Sequence, residues 1–191
     1  MRKRFRREDW LAFGLARLAD DGPDALKLAA LCRAADRTIG SFYHHFDDQA
    51  DFLAALLQYW QDKNTTAAID ANKAVADPDA QVENLDAFAL SLDHRVEVGI
   101  RRLGYQDRAV AEKIAVVDER RIEYVTALYR KRFGLPGDDA RSLAQLDYAV
   151  FVGSQMMGPA IAADDQVRLS KLFARLVRSE YGASAPASPR D

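Results

Sequence analysis

The sequence predicts an all-α protein of about nine helices, and three observations carry that prediction. Apolar residues recur at spacings of three and four along most of the 191-residue chain, the mark of helices that each bury one face. Glycine, proline and aspartate gather where those stripes lapse: at Gly22-Pro23, Asp36, Asp47-Asp48, Asp77-Pro78, Gly134-x-Pro136-Gly137 and Gly158-Pro159. No segment has the pattern of a strand, and there is no internal repeat or glycine-rich phosphate loop.

The first helix spans residues 8–20, opening on acids that suit a helix N-terminus and contributing Trp10, Phe13, Leu15 and Leu18 to a core. After the Gly22-Pro23-Asp24 turn, a second helix starts near Lys27 and carries Leu28, Leu31 and Ala35; a third carries Ile39, Phe42, Tyr43 and Phe46. Asp47-Asp48 opens a long fourth helix, about 48–73, with Phe52, Leu53, Leu56, Leu57, Tyr59 and Trp60. Proline at 78 breaks it, because proline lacks an N–H and its predecessor avoids the helical region. A fifth helix is expected from Asp79 to about Leu103, a short one over 106–115 that runs directly or through a kink into 116–133, then 138–157 and 165–181. From Gly182 the tail is rich in Ala, Ser and Pro and is expected to be disordered.

Composition narrows the functional classes. The chain is 49% hydrophobic and 29% charged, ordinary for a globular protein. A single cysteine, Cys32, excludes an internal disulfide framework and reads as a small half-buried helix residue. The basic N-terminus is not followed by a clean apolar run, and no stretch approaches the length of a membrane span, so a cytoplasmic location is expected. The net charge of −2 conceals an asymmetry: residues 1–45 hold nine Lys/Arg against six Asp/Glu, and the remainder 18 against 23. Local positive charge at one end suits a nucleic-acid partner.

Within that basic end, two short helical stripes are separated by Asp36-Arg37-Thr38. Aspartate tolerates the left-handed backbone of a tight turn, and Thr38 can cap the helix that follows, so the stretch Leu26–Phe46 reads as a helix-turn-helix. Its second helix has Gly40 and Ser41, small enough for close approach to a groove, beside Thr38, Tyr43 and His44, whose polar groups suit phosphates or base edges. The motif Thr38-x-Gly40-x-Phe42-Tyr43-x-His45-Phe46, preceded by Gly22-Pro23-x-Ala25-Leu26, resembles the N-terminal domain of the TetR family of bacterial transcription regulators. The match covers about residues 8–60. It implies a palindromic DNA operator bound by a homodimer, an unknown small-molecule effector, and a recognition helix formed by Thr38, Ile39, Gly40, Ser41, Tyr43 and His44. Lys27, Arg37 and Gln49 complete the DNA-contact set. The chain departs from the family pattern at three places: Asp36-Arg37-Thr38 replaces Gly-Val-Ser, Gln49 replaces a phosphate-binding lysine, and Lys27 replaces a capping Ser or Thr. Arg2–Arg7, with five basic residues, could track phosphates as an arm.

No catalytic or metal-binding constellation stands out, and no cofactor is implied. Of the three histidines, His44 and His45 are adjacent and so cannot share a helix face, and His94 is remote in sequence. Asp118-Glu119 and Arg120-Arg121 read as helix-surface ion pairs. Tyr59, Trp60, Phe88, His94, Tyr124, Tyr148, Gln155 and Met156 are candidates to line a ligand cavity. Leu143, Leu146, Val150, Gly153 and Met157, with Leu169, Leu172, Phe173 and Leu176, form stripes longer than one partner helix would cover, so they are expected at a four-helix dimer interface. The expected organisation is a DNA-binding domain at 1–47, a sensing and dimerisation domain at 48–181, and a tail at 182–191. The function expected is a ligand-responsive repressor; the alternatives are a ligand-free structural or protein-partnered DNA binder and an all-α enzyme.

Overall fold

The computed structural model describes residues 5–158 and 161–182, and every regular element among them is helical. Positions 2–4 of the expected basic arm and 183–191 of the expected tail lie outside the described residues. Nine α-helices occur within them: α1 (Arg7–Asp21), α2 (Leu28–Ala34), α3 (Ile39–Tyr43), α4 (Gln49–Gln61, continued through a π-turn at Asp62–Thr66 into Ala67–Lys73), α5 (Pro78–Ser91), α6 (His94–Gly104), α7 (Arg108–Phe133), α8 (Gly137–Met156) and α9 (Ala163–Tyr181). A 3₁₀ turn, Pro23–Leu26, joins α1 to α2. Among the described residues, no helix is long and apolar enough to cross a membrane.

The helix count matches the expectation through two offsetting differences. The expected fifth helix is two, α5 and α6: Leu92 is extended (φ −72°, ψ 150°), and the Asp93 carboxylate accepts the Arg95 N–H at 3.0 Å to start α6. The apolar spacing runs on through Phe88, Leu92 and Val96, so the cap rather than the periodicity marks this break. Conversely, residues 108–133 form one helix without a break, since no glycine or proline interrupts it. Asp107 caps it by accepting the N–H groups of Ala109 (2.8 Å) and Val110 (3.2 Å).

Packing divides the chain into two compact units, residues 1–66 with 93–117 and residues 67–92 with 118–191. The boundary expected between 47 and 48 therefore falls inside the first unit. The reason is burial: the helix-turn-helix cannot close its core without Phe52, Leu56 and Trp60 of α4, which are 0% exposed and pack with Trp10, Phe42 and Phe46. Helix α6 belongs there too. A Cβ on Gly99 would lie 2.9 Å from the backbone oxygen of Leu18, so only glycine allows α6 to approach α1 this closely. Buried Glu97 of α6 accepts a hydrogen bond from Trp60 Nε1 (3.2 Å) and pairs with Arg101 (3.0 Å), which compensates its desolvated charge.

The second unit has its own core of Val82, Leu128, Tyr129, Phe133, Leu143 and Val177 with Ala140 and Ala144. Asn72 and Gln81 brace the approach of α4 to α5 reciprocally, each side-chain amide donating to the other's backbone oxygen (2.7 and 3.1 Å). Helices α5, α7 and α8 also bring together two half-buried carboxyl groups. The Tyr129 hydroxyl donates to Asp147 Oδ2 at 2.7 Å, and burial pushes the Asp147 carboxyl up, opposed by that hydrogen bond. Asp86 is pushed up to about 7, first by burial and then by the Asp147 and Glu83 charges, with Arg132 opposing. Arg132 is itself paired with Asp79.

A carboxyl with a folded pKa above its unfolded value stabilises the fold fully below about pH 4, and this contribution is lost as the pH rises through about 7. Asp86→Asn, neutral at every pH, should differ little from wild type near the acid end of that window. By about pH 8 it should be the more stable, by up to about 4 kcal/mol in unfolding free energy. Thermal denaturation of both proteins across pH measures this, and a difference independent of pH would refute it.

Candidate nucleic-acid interface

The turn between α2 and α3 is built from backbone geometry. Asp36 adopts φ 51°, the left-handed region that L-residues other than Asn and Asp avoid, and it redirects the chain within one residue. The Arg37 N–H closes back on the Cys32 carbonyl at 3.0 Å. Thr38 is extended (φ −81°, ψ 156°), and its Oγ1 accepts the Ser41 N–H at 3.1 Å, satisfying one of the donors that a helix start leaves without a partner. Cys32 is buried behind this turn; burial pushes its thiol up, which makes it a packing residue rather than a reactive one.

Helix α3 is short, and its two faces differ sharply. Phe42 is fully buried and meets Trp10 (5.6 Å between ring centroids), Phe46 (5.0 Å) and Phe52 (5.3 Å), so aromatic packing from α1 and α4 fixes its orientation. The other face is exposed: Thr38, Ile39, Gly40, Tyr43 and His44 all lie at the surface, with Ile39 48% and Tyr43 50% accessible. Ile39 and Tyr43 therefore project from a helix whose opposite face is fixed by aromatic packing. Ser41 is half-buried.

The remaining expected DNA contacts are arranged differently from one another. Lys27 is exposed and pairs with Asp24 at 2.8 Å, a contact between two solvated side chains that a phosphate could exchange. Arg37 is half-buried: its guanidinium donates to the Asp36 carbonyl (2.9 Å) and lies over the Phe5 ring, 5.1 Å from the centroid. Gln49 turns into the protein. Its Nε2 donates to the Leu26 carbonyl at 2.9 Å, which ties the start of α4 to the start of α2.

Sequence reasoning missed Phe5 and took Arg7 as part of a phosphate-tracking arm. Phe5 precedes the first helical turn and packs edge-on against Trp10 (5.0 Å) and Phe13 (6.1 Å), a hydrophobic staple across the start of α1. The signal was available in the spacing of Phe5 and Trp10 around Arg6-x-x-Asp9, but it is set among basic residues that read as a solvated arm. His45 Nε2 lies 3.0 Å from the Phe5 carbonyl, so the nitrogen carries the hydrogen, and Arg7 Nε donates to the His45 carbonyl at 3.3 Å.

The candidate ligand-lining residues divide between the two units. In the first, Tyr59 is half-buried with Lys63 over its ring (5.4 Å), Trp60 is fully buried on Glu97, and His94 is half-buried at the start of α6. In the second, Phe88 and Tyr124 are half-buried, and burial pushes the Tyr124 phenol up. The Tyr148 hydroxyl donates to Asp118 (2.6 Å) and accepts from Arg121 (3.0 Å). Gln155 is 4% exposed with its Oε1 unpaired, and Met156 is at the surface. Of the expected interface stripe, Leu146, Met157, Leu172 and Leu176 are exposed, Val150, Gly153, Leu169 and Phe173 are half-buried, and Leu143 is buried in its own chain's core. Glu119 pairs with Arg141 of α8 at 2.8 Å, an ion pair between helices. Among the described residues, no group of three or more His, Cys, Asp or Glu side chains is placed to hold a metal ion.

No protein-family model matches the chain, and no curated protein matches it.

Two substitutions test how the α2–α3 turn is held. Thr38→Ala should lower the unfolding free energy by about 1 kcal/mol through loss of the cap. Asp36→Gly should be neutral or stabilising, because glycine takes a positive φ without steric cost. Urea denaturation measures both, and a clearly destabilised Asp36→Gly would show that the side chain, not the backbone, makes this turn.

Proposed function

We propose that the chain is a DNA-binding transcription regulator of the kind its TetR-like motif implies: a repressor that binds a palindromic operator as a homodimer and responds to a small-molecule effector. One observation carries the reading: a short helix presents Thr38, Ile39, Gly40, Tyr43 and His44 outward while Phe42 is locked into an aromatic core beneath it. Thr38, Tyr43 and His44 supply hydrogen-bonding groups for phosphates on either side of a major groove. Gly40 and Ser41 allow close approach to base edges, and Ile39 offers apolar contact to a thymine methyl group.

Dimerisation is supported by the exposed Leu146 and Met157 at α8 and the exposed Leu172 and Leu176 of α9, large apolar side chains on two helices that pack against each other. Two copies would then present two α3 helices to half-sites about one helical turn, roughly 34 Å, apart. The effector reading draws on the second unit, where the buried, unpartnered Gln155 oxygen would be satisfied by a ligand's donor. An effector that favours one packing of that unit over another shifts the population of DNA-competent dimers.

The operator can be selected from a pool of random duplexes, and binding then titrated with selected and random DNA. Tyr43→Phe and His44→Ala should weaken both affinities alike, whereas Gly40 or Ser41 substitutions should change which sequence is preferred, each lost base contact costing roughly 1–3 kcal/mol. If Tyr43→Phe instead leaves affinity intact and reorders operator preference, the division of labour is wrong. A wild-type protein that binds no duplex refutes the function itself. In sedimentation, Leu172→Asp should convert a dimer to monomer, because a buried unpaired carboxylate costs several kcal/mol, on the order of 3–5.

A further inference from the structure

Helix α8 carries two stripes with different partners. Leu146, Val150, Gly153 and Met157 belong to the proposed dimer face. The other stripe runs through Ala140, Ala144, Tyr148, Phe151 and Gln155, which are spaced three and four apart and so share one side of the helix. Its first half is settled by packing, since Ala140 and Ala144 are fully buried in the second unit's core with Tyr129 and Phe133. Its second half changes character. Tyr148 and Phe151 are half-buried, with ring centroids 6.4 Å apart and planes tilted by 31°. Gln155, one turn beyond Phe151, is 4% exposed, and its Oε1 has no hydrogen-bond partner among the described residues.

Folding alone favours an apolar residue at position 155. A buried carbonyl oxygen without a donor keeps its desolvation cost, which a methionine of similar length would not incur. Residues that destabilise a fold without improving its packing gather at functional sites. Tyr148, by contrast, is fully engaged: its hydroxyl donates to Asp118 Oδ1 at 2.6 Å and accepts from Arg121 Nη1 at 3.0 Å, both on α7. These two bonds hold the ring in one orientation, and the acid and the base that make them balance in charge. The stripe therefore offers a fixed aromatic surface at one end and an acceptor that lacks a donor at the other.

We propose that the Tyr148–Phe151–Gln155 face of α8 binds a neutral, planar aromatic molecule whose ring lies against the two aromatic side chains and whose N–H or O–H donates to Gln155 Oε1. Rings pack favourably on rings in offset and edge-on arrangements, and Phe151 stands one turn from both Tyr148 and Gln155. The acid beside the stripe, Asp118, already shares the Tyr148 hydroxyl with Arg121, so a charge of either sign on the ligand would be left uncompensated. The inference deepens the effector reading, on which it rests for the ligand's role but not for its binding.

The test titrates the full chain by ligand-observed NMR with indole, a planar ring with one N–H donor, and with benzothiophene, of nearly the same shape and without a donor. The wild type should bind indole about tenfold more tightly, the margin of one hydrogen bond made in a desolvated site. Gln155→Met removes the acceptor and should cut that preference to about twofold or less, with benzothiophene affinity nearly unchanged. Phe151→Leu should weaken both compounds alike, by about fivefold. Without ligand, Gln155→Met should melt at or above the wild-type temperature, because no hydrogen bond is lost. A wild type that binds neither compound, or both equally, overturns the proposal, as does a Phe151→Leu variant with undiminished affinity for indole. A Gln155→Met variant that melts clearly lower or does not fold overturns it too, since the amide would then be satisfied by ordered water only. Binding is read without DNA, which keeps the two readings apart: an operator affinity indifferent to bound indole removes the effector role and leaves the site standing.

Discussion

Phe42 is the side chain on which the first unit depends. It leaves α3 on the side opposite the exposed residues and touches rings from α1, from α4 and from the segment between α3 and α4. A five-residue helix has too few hydrogen bonds to persist in water by itself, so its existence as a helix is borrowed from this packing. Removing the ring would forfeit on the order of 3–5 kcal/mol, and with it the reason for Ile39, Tyr43 and His44 to project together. The precision of the outward surface is therefore a property of the core beneath it.

The same constraint explains why the first unit is larger than a minimal helix-turn-helix. Burying two tryptophans and three phenylalanines requires walls on every side, and α1, α2 and α3 cannot enclose Phe52 and Trp60 alone. Helix α6 closes the remaining side through the glycine contact with Leu18, and it brings Glu97 to the indole N–H of Trp60. Arg101 one turn later then neutralises the acid. The buried polar triplet follows from needing a large indole in the core and a partner for its one donor.

Much of this was legible in the sequence, wherever one residue type acts on its own immediate backbone or face. Asp36 marked the left-handed turn, Thr38 and Asp48 the caps, Gly22 and Pro78 the stops, and Trp10 and Leu18 the core. What escaped depends on neighbours remote in sequence. The Asp93 cap lay inside an unbroken apolar stripe, and Phe5 lay among cations. Gln49 stood where the family resemblance suggested a phosphate contact, whereas its amide holds the Leu26 carbonyl. The helix spacing showed Tyr59, Trp60 and His94 as apolar or amphipathic positions alongside Phe88 and Tyr124. It carried no information on which compact unit each would join, because that depends on the helix break at Leu92 and on where the unbroken α7 passes from one unit to the other, after Val117.

Cys32 gives the molecule a property independent of any partner. It is the chain's single cysteine, it is sealed beneath the α2–α3 turn, and its thiol is 3.9 Å from the Thr38 carbonyl. A thiol reagent in solution reaches it when that turn lifts from the core or when the whole unit unfolds, so under conditions where the fold is stable the rate of labelling chiefly counts openings of one small region. Anything that holds α3 in place slows that reaction, which makes the native protein its own chemical stopwatch for the fluctuation of its most exposed helix.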